Sequence, residues 1–372
     1  MSNAYDVVVI GSGIVGLGTA YAAVRRGLTV LVIDRTDAPL GATVRNFGHL
    51  CISAQSGEAR EYGDASRELW LRLSRDAGFW LRETGTLIVA RHADELALLE
   101  ASADEGLVLL SAANLEAAAP VRPGLAVGGG LLTADLQTDP RTAAPAIAAY
   151  LAALGVEFRM RTSVGRVEAG RVHTSRGTVE AGTVVVAVNH DIDQVLPDLA
   201  ESVGIVRCSL DMLRVRVDLT LDAPLLTGWS LVRYSRFARL HEAVAVRERL
   251  HAERPDLAAV DLNQMYTQLP DGSLIIGDTH ARGVSIPPFQ PEESARLLLA
   301  ETESLFGIPA PTVIERWQGV YASGPNEFLR VEHEPGILVL AATTGIGMTT
   351  GLGLAEHSLA ARFGAAPSEG TA

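Results

Sequence analysis

The stretch Tyr5–Asp34, YDVVVIGSGIVGLGTAYAAVRRGLTVLVID, decides the fold. Its first six residues are a valine-rich apolar run, the pattern of a strand buried on both faces of a parallel sheet. Leu17–Arg26 carries alanine-rich helical periodicity closed by Gly27, and Leu28–Ile33 is a second apolar strand ending at Asp34. Between strand and helix stands Gly11-Ser-Gly13-Ile-Val-Gly16, so the spacing predicts a β-α-β unit with a glycine fingerprint in its first turn. Gly11 makes the tight turn, Gly13 lets a pyrophosphate reach the backbone, and Gly16 lets helix and strand pack, while the helix N-terminus faces the phosphate charge. Asp34, eighteen residues beyond Gly16, is placed to accept hydrogen bonds from ribose hydroxyls. It favours an unphosphorylated ribose, although Arg35 beside it leaves a 2′-phosphate open. Glycine turns of this pattern also arise for structural reasons alone. Here the strands, the helix and the acid all fall in place, and together they read as a dinucleotide site.

Composition narrows the partners. A length of 372 residues predicts about two domains with a cleft between them. A net charge of −13 argues against nucleic acid and anionic membrane, which need a clustered basic surface. All 31 basic residues are arginine. Whatever its cause, of which a high-GC codon bias is the plainest, the absence of lysine excludes a pyridoxal Schiff base, a Schiff-base aldolase and a phosphate-loop kinase. Cys51 and Cys208 make no disulfide framework, and their separation matches no metal-ligand spacing, so no metal is expected. No apolar run reaches membrane-spanning length, and a strand at Tyr5–Ile10 leaves no room for a signal peptide. The expected location is the cytoplasm.

Which dinucleotide is bound depends on the rest of the chain. A nicotinamide dehydrogenase usually continues through strand–helix repeats, whereas this chain passes into Gly41-Ala-Thr-Val-Arg-Asn-Phe-Gly-His49. Downstream come the strand segments Gly155–Val164 and Thr183–Val188, and Leu213–Leu219 alternates apolar with charged residues as a half-exposed antiparallel strand does. Near the C-terminus, Gly336–Ala341 leads through Thr343–Thr350 into a helix over about Leu352–Arg362, and the chain from about Ala365 reads as a loose tail.

On these residues the sequence resembles the FAD-dependent amine and amino-acid oxidoreductases of the D-amino-acid oxidase and sarcosine oxidase superfamily. The resemblance covers essentially the whole chain. It rests on the fingerprint with Asp34, on Gly41-Ala-Thr…Arg45-Asn46, and on Asp139-Pro140 opening a helix. Asp271–Asp278, Trp317-Gln-Gly319 and the final glycine turn add to it. It implies an α/β fold, α+β overall, with a Rossmann-like FAD-binding domain interleaved with an antiparallel-sheet substrate domain. The FAD-binding domain would take residues 1–82, 138–205 and 312–372, and the substrate domain 83–137 and 206–311. Gly11, Gly13, Ile14, Gly16, Asp34 and Arg35 would hold the ADP half of FAD, with Val164 beside the adenine. Thr43, Arg45 and Asn46 would follow along the cofactor, and Gly345, Gly347, Met348 and Thr349 would aim a helix N-terminus at the flavin pyrimidine, where negative charge develops on reduction.

Departures from the family bear on mechanism. The lysines and the flavin-linking cysteine of sarcosine-oxidase-like enzymes are missing, since the corresponding stretches read Leu274-Ile-Ile276, Met348-Thr349 and Val320-Tyr321. Non-covalent FAD follows, with Cys51 a remote attachment point, and the electron acceptor is O2 or another acceptor. Asn189 stands where the family usually has glycine, and asparagine tolerates the left-handed conformation.

The implied reaction is hydride transfer from a carbon bearing an amine to flavin N5, after which water hydrolyses the imine to a carbonyl and an amine. It dictates no obligatory acid or base. If one exists, His49 or His280 has the right pKa range. Tyr321 and Tyr266 are site-lining candidates. Arg45, Arg233, Arg236, Arg239 and Arg316 are possible anion clamps, because a guanidinium binds carboxylate or phosphonate through two hydrogen bonds. Arg45-Asn-Phe-Gly48 with Gly277-Asp-Thr-His280 resembles a subgroup associated with aminophosphonate breakdown, which implies 2-aminoethylphosphonate or its N-methyl derivative as the small-molecule amine. A D-amino-acid or sarcosine-type oxidase shares every flavin motif. A tRNA-modifying flavoenzyme and a flavin-binding module without activity are the remoter alternatives.

Overall fold

The structure, a computed structural model, describes residues 4–367. Its opening unit matches the sequence reading with shifted ends. The strand Ala4–Ile10 is followed by the helix Ile14–Val24, which starts three residues before Leu17, and by the strand Val30–Ile33. Val7 and Val9 pack into one apolar cluster with Leu17 and Leu352, while Val8 and Ile10 pack into another with Leu31 and Val339. Burial on both faces is what the unbroken apolar run encodes, and each fully buried valine contributes roughly 1.5–3 kcal/mol.

Fifteen strands join one sheet among the described residues. Five of them form a parallel block, in the order Ile337–Thr344, Gly177–Val186, Ala4–Ile10, Val30–Ile33 and Glu157–Arg159. The chain leaves Ala4–Ile10 toward one side and returns to pair on the other. This strand-order reversal opens a crevice at the carboxyl ends, where Gly11–Gly16 lies. The rest of the sheet is mostly antiparallel, running from Thr312–Glu334 through Val206–Arg216, Leu274–Gly283 and Met265–Gln268 to Leu225–Thr227, Thr86–Ala90, Gly128–Leu132 and Leu107–Ser111. Thr312–Glu334 joins the two parts: its first half pairs with Val206–Arg216 and its second with Ile337–Thr344. His49–Leu50, Leu136–Thr138 and Leu81–Arg82 make a separate three-stranded sheet.

Several sequence readings shift in detail. The last helix begins at Gly347, five residues before Leu352, because Met348–Gly351 is buried and Trp70 Nε1 donates to Met348 O at 3.0 Å. Tertiary packing there overrides the weak helix preference of glycine and threonine. The strand expected at Leu213–Leu219 is Val206–Arg216, with Leu213 and Val215 buried and Arg216 exposed as the alternation requires. Asp139 caps the helix Pro140–Ala153 by accepting from Arg141 N. Asn189 has φ +56° and accepts from Ala322 N at 2.7 Å, so it takes the left-handed conformation expected of it. Of the tail, residues 368–372 lie outside the described residues. No described helix is long and apolar enough to cross a membrane.

Candidate active site

Two glycines of the fingerprint leave no room for a side chain. Gly11 has φ +106° and a Cβ there would stand 2.5 Å from Ala187 O, while a Cβ on Gly16 would stand 1.9 Å from Gly11 O. The chain can therefore turn sharply from strand to helix and bring the helix N-terminus to the crevice. Gly13 precedes that helix, and Thr43 Oγ1 accepts from Ile14 N at 2.9 Å, so the Gly41–Gly48 segment is tied to the turn. Asp34 closes the second strand but is already engaged: Ser12 N and Oγ donate to one oxygen at 2.8 and 2.7 Å, and Thr36 N and Oγ1 to the other at 2.9 and 2.8 Å. A carboxylate accepts about four hydrogen bonds, so a ribose would displace the Ser12 or Thr36 hydroxyl. Arg35 is paired with Asp191 at 2.6 Å.

Asp34, Arg35 and Val164 line a cavity of about 1140 Å³ beside the turn. A second of about 700 Å³ shares Gly13, Ala42, Thr43, Ala187 and Asn189 with it and extends past Ile14, Arg45 and Asn46 to Gly345, Gly347 and Met348. One crevice thus has an acid suited to ribose at one end, an amide-lined turn along it and a second helix N-terminus at the other. These features fit FAD.

A third cavity, about 1260 Å³, shares Asn46, Leu210, Tyr321 and Gly345 with that crevice. Strand Leu274–Gly283 sends Asp278, His280 and Arg282 into it, residues two apart and therefore on one face. Asp278 and the His280 side chain are buried. His280 Nδ1 lies 2.9 Å from the Asp261 carbonyl, which can only accept, so Nδ1 carries hydrogen and the Nε2 lone pair faces Asp278 Oδ2 at 3.4 Å. Asn263 Nδ2 donates to Asp278 Oδ1 at 3.0 Å. Burial raises the Asp278 pKa to about 7, against the pull of Arg233 and Asn263. Burial first, then Arg233, drives the His280 pKa down and keeps the imidazole neutral. Arg233, from the segment after the short helix Gly228–Leu231, also lines the cavity. Asp261 pairs with both Arg233 and Arg282, the latter at 2.6 Å. Burial opposes its ionisation, but Arg233 and Arg282 outweigh it and hold its carboxyl below the usual range. Burial pushes the Tyr321 phenol well up.

The structure separates other candidates from this cavity. His49 is buried, with Nε2 2.6 Å from Thr86 Oγ1 and Nδ1 2.9 Å from Met265 Sδ, one layer behind the wall. Tyr266 packs edge-on against Phe306 and accepts from Gln264 Nε2, because the strand alternation turns it away while Met265 faces the cavity. Arg316 lies outside, paired with Glu292. Arg236 donates to Ser53 O and Ser102 O, and Arg239 pairs with Glu327 at 3.3 Å. Asn46 spends its side-chain amide on Ala42 O and Thr43 O, shaping the loop. Thr349, the residue after crevice-lining Met348, is buried and accepts from Cys51 N instead. Gly16 is packed beneath the turn. Arg282, Asn263 and Tyr234 are not among the residues the sequence motifs mark, and Asp278 enters there only as part of the Asp271–Asp278 and Gly277–His280 segments, without a role. The alternation Asp278-Thr-His280-Ala-Arg282 is the signal that carries two of them.

A family model described as FAD dependent oxidoreductase matches residues 6–361. An opine oxidase polypeptide from Rhizobium meliloti is 33% identical over 100 residues, 24% of this chain and 27% of that protein. Monomeric sarcosine oxidase of Bacillus sp. (strain B-0618) is 30% identical over 92 residues, 24% of each. The chain thus matches about a quarter of the length of these curated relatives. Glycine oxidase from Geobacillus kaustophilus superposes over 97% of this chain and 95% of its own with a TM-score of 0.79 at 18% identity, a likeness of fold.

Proposed function

This chain belongs to the FAD-dependent oxidoreductase family, and from that premise we propose that it oxidises the C–N bond of a small amine bearing an anionic group. The observation that carries the reading is the pair Arg233 and Arg282 in a cavity that shares its wall with the FAD crevice. Two guanidiniums anchor an anion bidentately and leave the amine end of a short substrate turned toward Asn46, Tyr321 and Gly345. FAD, when bound, supplies the hydride acceptor. The chain's own residues prepare the substrate. An ammonium cannot release a hydride, so its proton must leave first, and Asp278 is the group placed to take it. His280 presents an unprotonated Nε2 to Asp278, and through Nδ1 it is anchored to the Asp261 backbone at the more exposed side of the cavity. Buried Tyr321 shields the wall shared by the two cavities.

Within this class the finer assignment is 2-aminoethylphosphonate or its N-methyl derivative, supported by the Arg45–Gly48 and Gly277–His280 segments. A second reading, a sarcosine- or glycine-type amino acid, draws support from Asp261: it offsets one of the two guanidiniums, and the remaining charge of about +1 matches a carboxylate. Anaerobic mixing of the purified flavoprotein with both aminophosphonates, sarcosine, glycine and D-amino acids tests both. Bleaching by aminophosphonates alone supports the first reading, bleaching by amino acids alone the second, and none by any of them overturns the proposed reaction.

A further inference from the structure

Behind the cavity wall, His49, Cys51 and Asp135 place one ligand atom each within 4.8 Å of one another, and all three residues are buried. Their meeting is set by strand register. His49–Leu50 pairs antiparallel with Leu136–Thr138, with His49 opposite Gln137 and Leu50 opposite Leu136. Continuing by one residue sets Cys51 opposite Asp135, and the two-residue period puts His49 on the same face. Asp135 is wholly buried: Oδ1 accepts from Ser53 N at 2.6 Å, whereas Oδ2 makes no hydrogen bond of ordinary geometry among the described residues, and the Cys51 thiol is the donor beside this carboxylate. That oxygen faces His49 Nε2 at 3.8 Å. A buried carboxylate oxygen short of donors is costly unless a cation reaches it.

We propose that His49, Cys51 and Asp135 form a site for a divalent transition metal, zinc by ligand chemistry. A histidine nitrogen, a thiolate and a carboxylate are a mixed borderline donor set that zinc takes in tetrahedral geometry. Two anionic ligands balance a 2+ ion, so the occupied site is neutral and tolerates burial. A thioether sulfur cannot donate, so Nδ1–H points at Met265 Sδ and Nε2 carries no hydrogen; its lone pair accepts from Thr86 Oγ1 at 2.6 Å, with Asp135 Oδ2 3.8 Å away, and the ion would take the hydroxyl's place on it. The Nε2–Oδ2 separation exceeds that of two ligands on one tetrahedral zinc by only a few tenths of an ångström. Thr86 Oγ1, hydrogen-bonded to Nε2 at 2.6 Å, is too close to it to be a ligand of the same ion, so water would complete the tetrahedron. Burial and the neighbouring Asp135 push the Cys51 thiol pKa well up, so binding displaces a proton from it to solvent and releases no other group. Met265 and Tyr234 separate the cluster from the substrate cavity. The ion would staple the strand that follows the flavin loop to Asp135, fixing the cavity's rear wall.

The test uses the FAD-loaded protein, stripped with a chelator, re-exposed to Zn2+ and desalted. Elemental analysis should return about one zinc per chain, and zinc-edge X-ray absorption should show one sulfur at about 2.3 Å with lighter ligands at about 2.0–2.2 Å. Cys51→Ser should lose the sulfur shell and most of the zinc, and Asp135→Asn most of the zinc. Cys51→Ser nearly preserves volume, and its flavin content and circular dichroism confirm folding should Asp135→Asn fail to fold. Uptake below about a tenth of an equivalent, a zinc shell without sulfur, or undiminished zinc in folded Cys51→Ser would each overturn the proposal.

Discussion

Asp278 is a carboxyl whose proton affinity is set by where the fold buries it, with Arg233, Asp261, His280 and Asn263 around it. Its pKa near 7 makes it a proton acceptor matched to neutral pH. kcat/KM should therefore climb about tenfold per pH unit below about 7 and level above it, and Asp278→Asn should lose that limb along with most of kcat. Stability gives an independent readout. The folded-state pKa lies above the unfolded value of about 3.9, so the fold keeps the proton longer and the contribution of Asp278 to stability falls as pH rises from about 4 to about 7. The lowered His280 pKa works in the opposite sense over much of that range, so the readout is the difference: the melting temperature of the native chain minus that of Asp278→Asn should fall as pH rises from about 4 to about 7, and a pH-independent difference would count against the assignment. Arg233→Gln should raise KM by about 10- to 100-fold, the effect of losing a charge-assisted contact of about 1.5–3 kcal/mol, with flavin content retained. Equal KM values for charged substrate and a neutral analogue in the native enzyme would remove the anion clamp.

The strand–turn–helix element works because Gly11, Gly16 and Thr43 satisfy separate demands of close approach and capping. Gly16→Ala places a methyl against Gly11 O, so the turn must open and the helix N-terminus swing away. That variant should purify with little or no flavin, read as the ratio of visible to ultraviolet absorbance. Thr43→Val keeps the volume but leaves Ile14 N without its acceptor, and should cost about 1 kcal/mol with weakened FAD retention, measured by melting and by flavin titration. Element type was legible here from local pattern, since the apolar run and glycine spacing act over a few residues. Element ends were not: the last helix gains its first turn from Trp70 and from burial, neither visible in the segment's own composition.

At the scale of the whole molecule, a ligand that binds only the folded chain raises its melting temperature in proportion to the logarithm of ligand concentration. FAD should do so here. Neither cysteine lines the crevice, and both are buried, so we propose that acid precipitation leaves the flavin in the supernatant; a coloured pellet would show a covalent link. We propose, too, that residues 1–82, 138–205 and 312–372 behave as one unit and 83–137 and 206–311 as another. Hydrogen exchange should then give two distinct opening free energies, and a single level across all strands would refute the division. In a chain without lysine, an oxygen-activating cation beside the flavin must be arginine or histidine, and the speed of recolouring in air separates oxidase from dehydrogenase.

What the sequence alone determined is whatever depends on neighbours within a few residues: the β-α-β unit, its glycine turn, the Asp34 position, the capped helix at Asp139 and the left-handed Asn189. Only the tertiary structure decided which of the spaced polar residues share a chamber. It placed His280 with Arg233 and Asp278 in the cavity, moved His49 behind the wall beside Cys51 and Asp135, and sent Tyr266 and Arg316 elsewhere. The reason is physical: backbone pattern is written by local sterics and burial period, whereas convergence of side chains is fixed by strand register and sheet order across hundreds of residues.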